Sequence, residues 1–457
     1  MLYSTDQESI IAQCTPRGPG AIALLRICGE NALNVAALMS SLANKKRIDT
    51  VTSHTISYGH IIDSHNDIID QVLFLVMHGP ATFTGQNTVE ITCHNNQLII
   101  EQIIDRAIEC GARLAQPGEF TQRAVLNKKI DILQAEGIHD LIQATTHGAR
   151  KAALAQIEGS LSQWILEIEH QLLKIIALCE GSFEFIDEEV TFDSEIRNKI
   201  SLLLTHINNL KQAHNKQRYI REGIRVALIG TVNAGKSSLL NRLVNRNRAI
   251  VTHHAGTTRD TLEVYATYGD YALTLVDTAG IRKTENEIEQ EGISRSYTEA
   301  NQADILLVIV DGSHPLNAEE NALYQNILTT YQHKCILIHN KCDCDPFHHT
   351  LYHDKSFELS CVTGHGLEAL QQYLTTRAKT IMAESAPSFL INARHYSILL
   401  RCERQLKSLR KNTSNRIDYE LLTQELKSVL SLLVELNGSS ITQKYLDCIF
   451  SSFCIGK

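Results

Sequence analysis

The chain has no long hydrophobic run. Its longest purely aliphatic stretch covers residues 305–310, far short of the roughly 20 residues that a membrane span requires. The opening MLYSTDQESI lacks the basic-then-apolar pattern of a secretory signal, so no export is expected. An excess of positive charge is missing too: 43 Lys and Arg stand against 51 Asp and Glu, a net charge of −8. A protein that holds nucleic acid mainly by its phosphates is usually basic, so any RNA contact has to come from a local patch. The clearest patch is Arg401, Arg404, Lys407, Arg410 and Lys411 at i, i+3 spacing, with Arg416 beyond; its ordinary reading is a solvated helix face. The 12 cysteines follow no disulfide-framework spacing, so reduced thiols and a cytoplasmic location are expected. Cys342, Cys344, His348, His349 and His353 crowd together but match no common zinc spacing. Internal repeats and low-complexity segments are absent. What remains, 457 residues with 43% hydrophobic and 21% charged, is ordinary globular composition, long enough for about two to four domains.

What is present begins at mid-chain with Gly230-Thr231-Val232-Asn233-Ala234-Gly235-Lys236-Ser237. A polyphosphate carries dense negative charge and needs backbone N–H groups at close range. Glycines permit that approach, a lysine reaches the β/γ oxygens, and a hydroxyl holds Mg²⁺. Residues 225–229 read as a short apolar strand and 236–244 as a helix, which places phosphate at a helix N-terminus. Asn233, Ala234, Gly235, Lys236, Ser237 and Ser238 are therefore expected to hold nucleotide, with Ser237 on Mg²⁺. Asn340-Lys341-Cys342-Asp343 ends another apolar run, and the Asp343 carboxylate can accept both N–H groups of guanine's N1 and N2 edge. Adenine offers an acceptor there and is rejected. Asp277-Thr278-Ala279-Gly280 follows a strand; its aspartate would reach Mg²⁺ through water and the Gly280 N–H would sense the γ-phosphate. Thr258, in Gly256-Thr257-Thr258-Arg259-Asp260, is the candidate for the second Mg²⁺ hydroxyl. By resemblance to guanine-nucleotide switches, Ser360-Cys361-Val362 stands where a base-backing loop would offer a backbone N–H to the guanine carbonyl. These elements in register specify GTP over ATP. Residue 281 is Ile where many such sites carry a water-orienting Gln, so hydrolysis needs another polar group, and the acidic run at 283–292 offers Glu285, Glu287, Glu289 and Glu291.

Texture divides the chain into an α+β region (1–118), a helical region (119–216), a strand–helix alternation typical of a doubly wound sheet (217–379), and a second helical region (380–457). Helix, α/β unit, then helix implies a Ras-like P-loop GTPase domain inserted into a discontinuous all-helical domain.

Over essentially its full length the sequence resembles the MnmE (TrmE) tRNA-modification GTPases. The resemblance is carried by Arg26 in LLRICG, by TFTGQNTVE at 82–90, by QPGEFTQRAVLN at 116–127, by LQAE at 133–136, by the GTPase motifs and by the terminus IFSSFCIGK. It implies an N-terminal domain that binds a 5,10-methylene- or 5-formyl-tetrahydrofolate through Arg26, Glu90, Lys129 and Lys457 and that dimerises. It also implies an FAD-dependent partner, MnmG (GidA), with which a carboxymethylaminomethyl or aminomethyl group is added to C5 of the wobble uridine (U34) of certain tRNAs. Cys454 would then be a thiol in one-carbon transfer, against its ordinary reading as a small packed residue. The resemblance further implies K⁺-activated hydrolysis with transient pairing of GTPase domains. Asn233, Thr252, His254 and Thr257 would hold K⁺ within a nucleotide-contacting loop Thr252, His253, His254, Ala255, Gly256, Thr257 and Thr258, with Lys236 and Glu289 catalytic and Glu289 positioning water. This sequence departs from the family pattern at Gln86-Asn87 (usually Glu-Asp) and Asn95-Asn96 (usually Gly-Gly). The rival reading is a regulatory or ribosome-associated GTPase without one-carbon chemistry; a membrane remodeller would need an amphipathic anchor that the sequence lacks.

Overall fold

A computed structural model describes residues 8–144, 146–184, 193–231, 233–245, 262–268, 271–277, 298–344, 351–383, 389–412, 418–438, 443–451, 453 and 456. In chain order the elements are β1 (Ser9–Gln13), β2 (Ile22–Cys28), α1 (Ala32–Leu38), β3 (Ser40–Leu42), β4 (Thr55–Ile62), β5 (Ile68–Met77), β6 (Thr88–His94), α2 (Gln97–Glu109), β7 (Ala112–Leu114), α3 (Glu119–Leu126), α4 (Ile132–Gln143), α5 (His147–Ile157), α6 (Ser160–Glu184) and α7 (Asp193–Glu222). They continue with β8 (Ile224–Ile229), α8 (Lys236–Asn245), β9 (Leu262–Tyr268), β10 (Tyr271–Asp277), β11 (Ile305–Asp311), α9 (Ala318–Thr330), β12 (Cys335–Asn340), β13 (Ser356–Leu359), α10 (Leu367–Ala383), α11 (Ala393–Asn412), α12 (Tyr419–Asn437) and α13 (Gln443–Phe450). Two compact units divide them. One holds Met1–His139, Ile157–Ile196 and Lys411–Lys457; the other holds Asp140–Gln156 and Arg197–Arg410. The sequence borders at 216/217 and 379/380 fall inside α7 and α10.

The first unit is built on a seven-stranded sheet of order β3-β4-β5-β6-β2-β1-β7, antiparallel except for β1 with β7. Strand side chains alternate between faces. Leu25, Ile27, Phe74, Val76, Val89 and Ile91 point one way and form a core with Val35 and Ala36 of α1 and Ile100, Ile103 and Ala107 of α2. Arg26 pairs in register with Glu90, Glu90 with Leu75, and Leu75 with Ile56, so these four share the opposite face. That face is covered at β1 and β2, where Phe120 of α3 packs on Ile10, Ala12 and Cys28. Farther along it, Ile22, Ile56, Tyr58 and Leu73 remain exposed. The helical part pairs α6 with α12. Leu161, Ile165, Ile168, Leu172 and Ile175, and Leu422, Leu426, Val429 and Leu433, are all buried, and Lys427–Glu180 and Asn437–Glu169 contacts pin the pair. α12 starts at an Asp418 cap that accepts the Leu421 N–H and stops at Gly438 with φ +86°, the left-handed conformation that favours glycine at a helix end.

The second unit carries a six-stranded sheet of order β13-β12-β11-β8-β10-β9, parallel except for the β9–β10 hairpin. Strands sandwiched by helices are buried on both faces and read as continuous apolar runs rather than alternations. β11 fits that description, with Ile305 to Val310 each at most 1% exposed. One face packs Leu228, Leu275 and Ile338 against α8 and α10; the other packs Val308, Val310 and Leu337 against Tyr324, Ile327 and Leu328 of α9. This is the doubly wound α/β arrangement that the sequence alternation implies.

Candidate functional site

In doubly wound sheets ligands bind outside the carboxyl ends of the strands, and the motifs converge there. The 230–237 loop leaves β8 and runs into α8. At Gly230 a Cβ would collide with the Ile309 carbonyl of β11, and at Gly235 (φ +96°) with the Asn340 side chain; both positions therefore demand glycine. Asn233 is left-handed too, with φ 63°, a conformation asparagine tolerates. Lys236 is buried and its Nζ donates to the Gly230 and Thr231 carbonyls at 2.7 Å each. Ser237 and Ser238 are exposed on the first turn of α8, where a helix N-terminus favours anions.

The base motif meets this loop directly. Asn340, at the end of β12, donates from Nδ2 to the Ala234 carbonyl at 2.8 Å and accepts the Cys361 N–H on Oδ1 at 3.3 Å. Ser360 is buried, and its hydroxyl accepts the N–H groups of Val362 and Thr363, which folds the base-backing loop into a turn. Lys341 (φ 68°) pairs with Asp311 at the end of β11. Burial pushes the Asp311 carboxyl up, but the Lys341 ammonium and the Ser313 hydroxyl and N–H outweigh it and hold it below its ordinary value. Asp343 is exposed at the mouth. Burial pushes the Cys361 thiol up to about 11, so at neutral pH it is an inert packed group rather than a nucleophile.

Three residues that the motifs do not name complete the frame. Tyr324 of α9 is fully buried; its hydroxyl accepts the Thr231 N–H at 2.8 Å and donates to the Ile309 carbonyl at 2.9 Å. Arg242 of α8 donates to the Cys361 and Val362 carbonyls at 2.7 Å each, tying the phosphate helix to the base loop. Asp311 anchors Lys341 as described. Arg242 lies six residues past the P-loop lysine on a predicted helix, a spacing that could have flagged it; nothing local marks Tyr324. Asp277 ends β10 beside β8. Thr252, His253, His254, Ala255, Gly256, Thr257, Thr258, Thr278, Ala279, Gly280 and Glu289, like Cys454 and Lys457, lie outside the described residues, as does the Asp277 side chain.

A second cluster sits in the first unit. Arg26 Nε and Nη2 reach Glu90 Oε1 at 2.9 and 2.7 Å, and the guanidinium lies 5.4 Å from the Phe120 ring centroid. Both contacts land on Oε1. Gly118 receives α13 so closely that a Cβ there would lie 2.7 Å from the Phe450 carbonyl, and Gln122 donates to Asp447 at 2.8 Å. The terminus is thereby brought to β1, where the Cys14 thiol donates to the Gly456 carbonyl at 3.1 Å. Lys129 passes over Gly85, whose neighbour Thr84 touches Cys28, two residues along β2 from Arg26. The departures from the family pattern have local roles. Gln86 Oε1 accepts from Arg123 at 3.0 Å, Asn87 Oδ1 accepts the Gly79 N–H, Asn95 donates to the Gly18 carbonyl, and Asn96 caps α2.

A phosphate loop between β8 and α8, joined through Asn340 to a base-reading motif on a doubly wound sheet, defines a P-loop guanine-nucleotide-binding protein. The family is narrower. The model described as "GTP-binding protein TrmE N-terminus" matches residues 9–129, and that described as "MnmE helical domain" matches residues 132–454. The tRNA modification GTPase MnmE of Symbiobacterium thermophilum is 35% identical over 468 residues, spanning 99% of this chain and 100% of the relative. That of Latilactobacillus sakei subsp. sakei is 35% identical over 463 residues, 99% of each. Among solved structures, the G domain of the T. maritima FeoB iron transporter is 27% identical across 34% of this chain and 98% of its own, with a TM-score of 0.25. The chain belongs to the MnmE family of tRNA modification GTPases.

Proposed function

We propose that this GTPase works with an FAD-dependent MnmG-type (GidA) partner in the cytoplasm to add an aminomethyl-type group to C5 of the wobble uridine of tRNA, drawing on a tetrahydrofolate one-carbon unit. The observation that carries the reading is the company the nucleotide site keeps. One chain joins a guanine-nucleotide site to an Arg26–Glu90–Phe120 cluster beside a packed C-terminal segment, which a simple switch would not need. The cluster suits a folate: Glu90 Oε2 can accept N–H donors from an aminopyrimidine edge, the buried Phe120 ring backs the Arg26 guanidinium, and Arg26 and Lys129 supply cations for carboxylates. Lys457 adds a further cation to that set. A bound tetrahydrofolate would supply the carbon at formyl or methylene oxidation level. Cys454, two residues before Gly456 in sequence, is the proposed thiol of the transfer.

At the nucleotide site Lys236 would leave the Gly230 and Thr231 carbonyls for the β/γ oxygens. Ser237 and Thr258 would hold Mg²⁺, and Asn233, Thr252, His254 and Thr257 would hold K⁺ when GTPase domains pair. Such a cation neutralises charge developing on the phosphates. Glu289 would position the attacking water in place of the missing Gln. Dimerisation through the N-terminal domain accords with the exposed Ile22, Ile56, Tyr58 and Leu73 on one sheet face, since contiguous exposed apolar surface marks interaction sites. No helix among the described residues is long and apolar enough to cross a membrane.

The test is mass spectrometry of tRNA nucleosides from cells lacking the chain, complemented with wild type or Cys454→Ser. The expected result is loss of a C5-aminomethyl-type uridine that only the wild type restores. An unchanged nucleoside profile in the deletion would leave a regulatory GTPase without one-carbon chemistry.

A further inference from the structure

We infer that the six-stranded sheet of the second unit carries another ligand site, at the amino ends of its parallel strands, which takes a small phosphate-bearing anion. A cavity of about 600 Å³ opens there between the end of α9, the starts of β11 and β12, the segment leading into β13, and α10. That volume lies within the range of small-molecule sites. The nucleotide motifs sit at the other end of the same strands: β12 begins at the cavity with Cys335 and ends at Asn340. The cavity is therefore separate from the guanine-nucleotide site.

Its wall is cationic on a chain whose net charge is −8. Lys334, Lys355 and Arg377 line it against one acid, Asp354. Lys334 has a structural task. Its Nζ donates to the Ala303 carbonyl at 2.8 Å and the Asn301 carbonyl at 3.3 Å, and it lies 5.1 Å from the ring centroid of Tyr331, just past α9. It thus supplies the cation that a helix C-terminus attracts. Lys355 and Arg377 are surplus to that task, since neither side chain makes a hydrogen bond or ion pair among the described residues.

An orphaned donor is the second observation. His353 lines the cavity and is only 8% exposed. The Lys355 N–H can only donate, and it meets the ring at Nδ1 at 3.2 Å; the Lys355 carbonyl already accepts the Leu337 N–H at 2.9 Å. Nδ1 is therefore the acceptor nitrogen, and the ring proton sits on Nε2. Nε2 is buried without a hydrogen-bond partner among the described residues. Buried donors are nearly always paired, and one that is not asks for an acceptor. A phosphate oxygen supplies it, and its charge answers Lys355 and the Arg377 guanidinium, whose geometry matches phosphate. Tyr373, stacked at an angle on Phe357, adds an aromatic surface to the same wall.

The experiment uses the full-length chain with its nucleotide site saturated by GDP. It is titrated calorimetrically with inorganic pyrophosphate and, separately, with ADP, whose adenine the base motif is expected to reject. Pyrophosphate should bind saturably. Lys355→Gln with Arg377→Gln should weaken it roughly tenfold or more, because two charge-assisted contacts are lost. GTP hydrolysis should stay at the wild-type rate, since neither residue touches the phosphate loop or the base motif. ADP binding more tightly than pyrophosphate would identify a phosphorylated organic ligand resting on Tyr373; equal affinities would identify the phosphates alone as the recognised group. If the double variant melts early, Arg377→Gln alone should still weaken pyrophosphate several-fold. No saturable binding of either probe to the wild-type chain, or wild-type affinity in the glutamine variants, would overturn the inference. The tRNA-modification reading is untouched by either result and stands or falls by the nucleoside profile.

Discussion

Arg242→Ala should weaken guanine-nucleotide binding without touching a group that contacts nucleotide. The Arg242 guanidinium makes two charge-assisted bonds, to the carbonyls of Cys361 and Val362, at 2.7 Å each. A buried bond of this kind is worth about 1.5–3 kcal/mol. The arginine itself is exposed, however, and Val362 is 74% exposed, so solvent competes and screening discounts the pair. About 1–2 kcal/mol in total is a fair expectation, which corresponds to roughly 5–30-fold in Kd if the cost falls on the bound state. The base loop is expected to offer a backbone N–H to the carbonyl at O6, a group that inosine also has. GDP and IDP should therefore lose affinity equally, whereas Asp343→Asn, which alters the N1 and N2 contacts, should change their ratio. Titration of fluorescent GDP with IDP as competitor reads both effects. Arg242→Lys, with a single donor centre, should fall between wild type and alanine. Wild-type Kd values for both nucleotides in Arg242→Ala would refute the argument that this side chain orders the base loop.

Tyr324→Phe removes the hydroxyl that accepts the Thr231 N–H and donates to the Ile309 carbonyl; leaving them without that partner should cost about 1–3 kcal/mol. Denaturant unfolding should show the loss, and nucleotide should dissociate faster as the phosphate loop loosens; equal stability and off-rate would count against the tether. Acid should destabilise the first unit through Glu119. Burial raises its carboxyl, but bonds from Arg113, the Gln116 N–H and Arg123 more than compensate and leave it below its ordinary 4.5. A depressed folded value means that the contribution is complete above about 4.5 and is lost as pH falls through the lower folded value. Glu119→Gln should therefore be less stable at neutral pH and show a flatter acid limb, and an unchanged limb in thermal melts from pH 6 to pH 3 would contradict this. If the proposed K⁺ site operates, hydrolysis should be several-fold faster in KCl than in NaCl at equal ionic strength, and equal rates would argue against it.

What the sequence made legible was local. A phosphate loop is a strand, a turn and a helix within one short segment, and its glycines announce themselves because the backbone angles at Gly235 exclude a Cβ. The doubly wound sheet was readable from the alternation of strand-like and helical stretches over residues 217–379. What was not legible was long-range. Tyr324 reaches the phosphate loop across 93 residues of sequence, and a buried tyrosine on an amphipathic helix looks like any core residue until the fold shows where its hydroxyl goes. Arg26 and Glu90 could each be singled out by resemblance, but their pairing follows from the β2–β6 register, which depends on which strands become neighbours.

The departures at Gln86, Asn87, Asn95 and Asn96 show the same division between local and distant causes. Asn96 has a local cause: it stands just before the first turn of α2 in extended backbone, and its side-chain oxygen accepts the Leu98 N–H at 2.9 Å, the bond that favours Asn as a helix cap. Gln86 is harder. Glutamate at that position would face Arg123, and loss of its charge looks like loss of an ion pair. In the fold, Arg123 is 3% exposed and already pairs with Glu119 at 2.9 Å, so its charge does not depend on position 86. Gln86 Oε1 still accepts from Arg123 Nη1 at 3.0 Å. The amide keeps the acceptor and gives up only a second negative charge, whose desolvation in this half-buried site would have offset much of its attraction to one guanidinium. The substitution is thus compatible with an intact turn at Thr84-Gly85, which Asn127 closes by donating to the Thr84 carbonyl at 2.7 Å.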